Sequence, residues 1–228
     1  MSHPFRIAQG DITAQANFLQ PAFDVLRDMT PLVQAMYNAL NPFGLHFDAM
    51  KIERGDGSIA DGHLLCSLLH FSTRIRVLVD RVEVLCFDTL RISQQQFVDV
   101  ARSTLESVKE VIASKQYKSY ALTANFHGTV EGTTPRDYLT KIAGTGPAKL
   151  GPLLASGAVF YYGPEGDRTG SFLSVDLSGV RVEAVYVRPH AVWDAAKVSL
   201  ADLPTVAENY LRATFEGIGL DWPVLPPK

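Results

Sequence analysis

The sequence predicts an α+β fold in which two pseudo-repeats of strand, helix, antiparallel meander and helix build one continuous sheet with helices on one face. Three observations carry that expectation. The stretch Arg81-Val82-Glu83-Val84-Leu85-Cys86-Phe87 returns as Arg181-Val182-Glu183-Ala184-Val185-Tyr186-Val187, with arginine and glutamate at the same two alternate positions. Both copies read as strands, because apolar and β-branched residues suit a pleated, half-buried surface. Ala16-Asn17-Phe18 is echoed by Ala124-Asn125-Phe126, and the order of elements around the two echoes matches. The boundary falls between residues 1–116 and residues 117–228, the two halves together making one compact domain.

Taken in order, Phe5 to Leu19 reads as an extended segment. Ile12, Ala14, Ala16 and Phe18 lie on one side and Thr13, Gln15 and Asn17 on the other, which is period two. Pro21 ends it. Thr30-Pro31 allows two readings, a helix that starts at Pro31 or a longer helix from about Ala22 kinked there. Leu32, Ala35, Met36 and Ala39-Leu40 make a helical apolar stripe. Strands are expected over Leu45–Glu53, Gly62–Phe71, Arg74–Val79 and Val82–Phe87. Asp80-Arg81 is either a tight reversal or part of one long strand. Ser93 with Gln96 is a capping box, and Phe97, Ala101, Leu105, Val108 and Ile112 follow at helical spacing.

The second half opens with an extended segment over Tyr117–Glu131 and a short helix begun by Thr134-Pro135. Strands over Ala158–Gly163 and Ser171–Leu177 flank a polar turn, and Ser178-Gly179 turns into the Arg181 strand. Asp202 and Pro204 open a last helix carrying Val206, Tyr210, Leu211 and Phe215, stopped by Gly217 and Gly219.

This order of elements resembles the duplicated arrangement of the TATA-box-binding protein and of helix-grip domains. The run Val77-Leu78-Val79-Asp80-Arg81-Val82, followed by a long helix and a new strand, resembles a sporadically distributed family of uncharacterised bacterial proteins of similar length. These resemblances imply a fold and no function.

Composition excludes several classes. A formal net charge of −3 gives no general electrostatic reason for nucleic-acid binding, so Arg74, Arg76, Lys115 and Lys118 are the residues such a face would need. No apolar run is long enough to span a membrane, and the start, Met1 to Arg6, has no apolar core of a signal peptide, so a cytoplasmic protein is expected. Cys66 and Cys86 sit in apolar strand-like runs and read as buried thiols.

The search for chemistry yields no nucleophile elbow, zinc-helix motif, paired Cys-x-x-Cys or dinucleotide fingerprint. Gly144-Thr145-Gly146-Pro147-Ala148-Lys149 has the glycines of a phosphate loop without its Gly-Lys-Ser/Thr ending. His46 and Asp48 share a face without a third ligand, and His63 and His70 are expected on opposite faces of one strand, so no metal and no cofactor is expected. Asp56, Asp61, Glu165 and Asp167 read as solvated turn residues.

The two Arg-Glu strands look apolar on both faces at their ends, whereas helices on one face cover only one of them. The reading is therefore a binding or assembly module, leaning away from an enzyme. It works through the helix-free face as a homodimer or a complex subunit, with Tyr161, Tyr162, Tyr186 and Arg188 as its surface. The alternative is a small-molecule site or enzyme in a cleft between sheet and helix, using His70, His127 or His190.

Overall fold

Two strands of 14 residues, β1 (Phe5–Phe18) and β6 (Tyr117–Val130), lie antiparallel at the centre of the molecule. The computed structural model describes residues 2–53, 62–144 and 156–223. Between the central strands run α1 (Phe23–Arg27), α2 (Thr30–Leu40), β2 (Met50–Glu53), β3 (His63–Leu68), β4 (Thr73–Val77), β5 (Arg81–Cys86) and α3 (Gln94–Val111). After β6 come α4 (Pro135–Ala143), β7 (Ala158–Tyr162), β8 (Arg168–Leu177), β9 (Val185–Asp194) and α5 (Leu203–Gly217). The fold is α+β, and the nine strands form one antiparallel sheet in the order β2-β3-β4-β5-β1-β6-β9-β8-β7.

The helices lie on one face of this sheet. Leu32, Met36 and Leu40 of α2 and Leu105 and Val108 of α3 pack on Leu64, Ile75 and Val84. Leu139 of α4 and Leu211 and Phe215 of α5 pack on Phe126, Leu173 and Val187. Each such side chain contributes about 1.5–3 kcal/mol by leaving water. The Ser93 hydroxyl accepts from the Gln96 amide and the Gln96 side chain accepts from the Ser93 amide, so the capping box forms as expected. The Thr134 hydroxyl likewise caps α4 by accepting from the Asp137 amide.

Several local expectations resolve in a definite way. Asp80-Arg81 is a reversal, in which the Leu78 amide donates to the Arg81 carbonyl at 2.8 Å. The chain near Thr30 is two helices, broken at Asp28-Met29, with the Asp28 carboxylate accepting from the Thr30 amide. Leu45–Glu53 is only partly a strand, because a single 3₁₀ turn occupies Phe47–Ala49. The second strand ends at Leu68, and His70 lies in a 3₁₀ turn beyond it, so His63 and His70 do not share a strand. The glycine-rich loop after Gly144, Asp56 and Asp61 lie outside the described residues.

The Arg181 echo is corrected. Arg81 opens β5, but Arg181, Val182 and Glu183 lie in a turn before β9. Val182 is 95% exposed and Glu183 has φ +57°. Ser178 builds this turn, its hydroxyl accepting from the amides of Val180 and Arg181. The two stretches are also out of phase. Val82, Val84 and Cys86 face the helices, whereas in the second stretch Val185 and Val187 do so and Tyr186 faces away. A slip of one residue exchanges the faces of a strand, so likeness of residues here is not likeness of structure. Phe18 closes β1, while Phe126 lies inside β6. The strand order does run symmetrically outward from the β1–β6 pair, with β2 the strand left over on one edge.

Candidate functional site

The face of the sheet opposite the helices is open among the described residues. Neither His3 near the start nor Leu220 near the end covers it. His3 bridges to Leu220, and Leu220 packs in the core on the helix side, so both of these segments lie there.

Strand register lines up a row of side chains across this open face. Leu85 stands opposite Thr13, Thr13 opposite Thr123, Thr123 opposite His190, His190 opposite Phe172 and Phe172 opposite Tyr161. The Thr123 hydroxyl bonds His190 Nδ1 at 2.8 Å, and the His190 ring stacks on Phe172 with centroids 4.8 Å apart. The Arg188 guanidinium lies 5.4 Å from the Phe172 centroid, and Tyr161 tilts against that ring at 6.3 Å. A second cluster adjoins the first. The Tyr186 hydroxyl donates to Asn125 Oδ1 at 2.6 Å, the Asn125 amide donates to Asp11 at 2.7 Å, and His127 stacks on Tyr186 at 4.8 Å.

Of the four residues singled out in the sequence, Tyr161, Tyr186 and Arg188 stand on the open face. Tyr162 does not join them. It pairs with Ser171, whose neighbour Ala191 faces the helices, so its side chain stands on the other side of the edge strand. Phe172, Thr123, Asn125 and Asp11 belong to the same surface and carry no signal of it in the sequence. Each is an ordinary alternate residue of a strand, and only the register brings it into the row.

The charged residues on this face are largely paired. Arg76 and Arg81 both donate to the Glu83 carboxylate, at 2.5 and 2.6 Å, and Arg74 lies over Phe87 at 5.5 Å. Lys115 pairs with Glu110. The histidines do not converge. His127 and His190 are on the open face, His70 is exposed on a turn and His63 pairs with Glu53. Among the described residues no cluster of three His, Cys, Asp or Glu side chains has metal-holding geometry. The two cysteines are buried and unbridged, and burial pushes the Cys66 thiol up to about 12, which keeps it protonated and inert.

Burial, and then the nearby Arg188 charge, holds His190 below the ordinary histidine value of 6.5. His127 is lowered by burial as well, with Asp11 opposing and Arg181 assisting. The sign follows from linkage. Well above 6.5 both imidazoles are neutral in the folded and unfolded chain. Below it the unfolded chain takes up protons that the folded chain refuses, so stability declines as pH is lowered until each folded value is passed. The urea midpoint is expected to drop between about pH 7.5 and about pH 5.5, and His190→Gln to flatten that drop; an unchanged slope in the variant contradicts the assignment.

No helix among the described residues is long and apolar enough to cross a membrane. Comparison with known proteins brings no match: no family model, no curated protein and no solved structure aligns with the chain.

Proposed function

We propose that this chain is a non-enzymatic binding and assembly module that works through the open sheet face and its β7 edge, as a homodimer. The observation that carries the reading is the edge strand itself. Ala158–Tyr162 contains no charge and no proline, and Tyr161 is 81% and Val159 51% exposed on the open face beside Phe172 and Arg188. Natural edge strands are commonly guarded by charge, and β2 at the other edge carries Lys51 and Glu53. An uncharged strand pairs antiparallel with its own copy about a two-fold axis without like-charge repulsion. Exposed tyrosine and a neighbouring arginine are the residue types that dominate interface energies.

Light scattering on the purified chain is expected to give twice 25.0 kDa. Tyr161→Lys is expected to weaken the dimer by about 30-fold or more, the loss of a residue worth about 2 kcal/mol. A monomer for the unaltered chain overturns the homodimer, and a dimer indifferent to Tyr161→Lys and Val159→Lys removes β7 from the interface.

A further inference from the structure

Both tryptophans of the chain, Trp193 and Trp222, line one cleft. It opens between α3 and α5 on the helix side of the sheet, at the seam between the two hydrophobic clusters. Its cause is local: Ala101 on α3 and Ala207 on α5 face it, and neither is long enough to fill the space above Ile12 and Leu122 of the sheet. The cavity measures about 120 Å³, and its walls are almost wholly apolar. An apolar cavity of about 150 Å³ takes up a benzene ring, so this one is of ring size.

A few polar side chains mark the cleft. At one end the Gln94 amide donates to Glu208 at 2.9 Å and bridges the helices, and Arg212 holds the other Glu208 oxygen at 3.1 Å. Arg102, two turns further along α3, lines the cleft, is exposed and has no ion pair among the described residues. In the wall Thr89 is 3% exposed, and its hydroxyl is buried without a hydrogen-bond partner among the described residues.

We propose that this cleft binds a small monocarboxylate whose apolar body is about one ring in size. The ring occupies the apolar space between the helices and gains the contacts that the two alanines leave unmade. The carboxylate meets Arg102, whose planar fork suits two carboxylate oxygens. A ligand with a further polar substituent gains the unpartnered Thr89 hydroxyl. This site lies on the opposite side of the sheet from the proposed dimer surface and does not depend on it.

The test uses the tryptophans as reporters. The full chain is titrated with 4-iodobenzoate and with the neutral 4-iodobenzamide, whose iodine quenches an adjacent indole. Saturable quenching is expected from both, with the acid at least about tenfold tighter, the worth of one charge-assisted bond. Arg102→Gln is expected to bring the acid to the level of the amide, and Ala207→Phe, which fills the cleft, to abolish quenching. Absence of saturable quenching up to about 1 mM, a range set by weak ligand affinities, overturns the proposal. Equal affinity for acid and amide, or an Arg102→Gln chain that still prefers the acid, overturns the carboxylate. Arg102 is exposed, so that variant remains informative if Ala207→Phe fails to fold.

Discussion

Phe215→Ala is expected to lower the stability of the chain by about 3–5 kcal/mol, the cost of emptying a buried aromatic site that cannot collapse. Phe215 is fully buried in α5, and its ring meets Phe5 at 5.5 Å, Phe126 at 5.8 Å and Trp222 at 5.3 Å. It therefore joins the start of β1, the middle of β6 and the segment after α5 through one side chain. These neighbours are themselves rigid rings held by their own segments, so the cavity remains largely open. Urea denaturation at about pH 7.5, above the window in which His127 and His190 change the stability, reads the effect as a lower midpoint at unchanged slope. A loss below about 1.5 kcal/mol contradicts this packing, because that is the range of mild core changes.

Gly128→Val is expected to have an effect of similar size for the opposite reason. A Cβ at Gly128 would stand 2.5 Å from the backbone carbonyl oxygen of Arg6 and 2.6 Å from Phe5 Cζ. The first of these is main chain in the neighbouring strand and cannot swing aside, so the β1–β6 pairing must part locally. Overpacking of a tight site costs about 1–3 kcal/mol for one added group, and valine adds more. Amide exchange is expected to accelerate selectively at Phe5 to Gln9, while β3 to β5 keep their protection. Gly170, where the nearest atom to a built Cβ is 3.9 Å away, serves as the comparison, and Gly170→Ala is expected to be tolerated. Equal tolerance of the change at Gly128 contradicts the close approach.

The two largest expected effects fall on residues that differ in how far the sequence reveals them. Phe215 stands in a helical apolar stripe with Val206 and Leu211, so its burial is legible from the spacing of apolar residues alone. Gly128 looks like any glycine in a strand, and its constraint arises from a carbonyl of another strand more than a hundred residues away.

The same division runs through the whole molecule. The α+β class, the two long strands, the capping box of α3 and the apolar stripes of its helices depend on patterns within a few residues, and the amino-acid sequence by itself determined them. Periodicity, capping and turn chemistry are local effects, so they can be read locally. What only the tertiary structure decided is which face each strand presents and what meets upon it. The Arg181 stretch has the residues of the Arg81 strand, yet the Ser178 turn delays its entry into the sheet and sends Tyr186 to the side away from the helices. That placement sets Tyr186 against Asn125, His127 and Asp11. Pairing elsewhere puts Tyr161 rather than Tyr162 on the open face and leaves a cleft where two alanines of distant helices face each other. In a strand a shift of one residue reverses every side chain, and the pairing that fixes the shift is made between segments far apart in the chain.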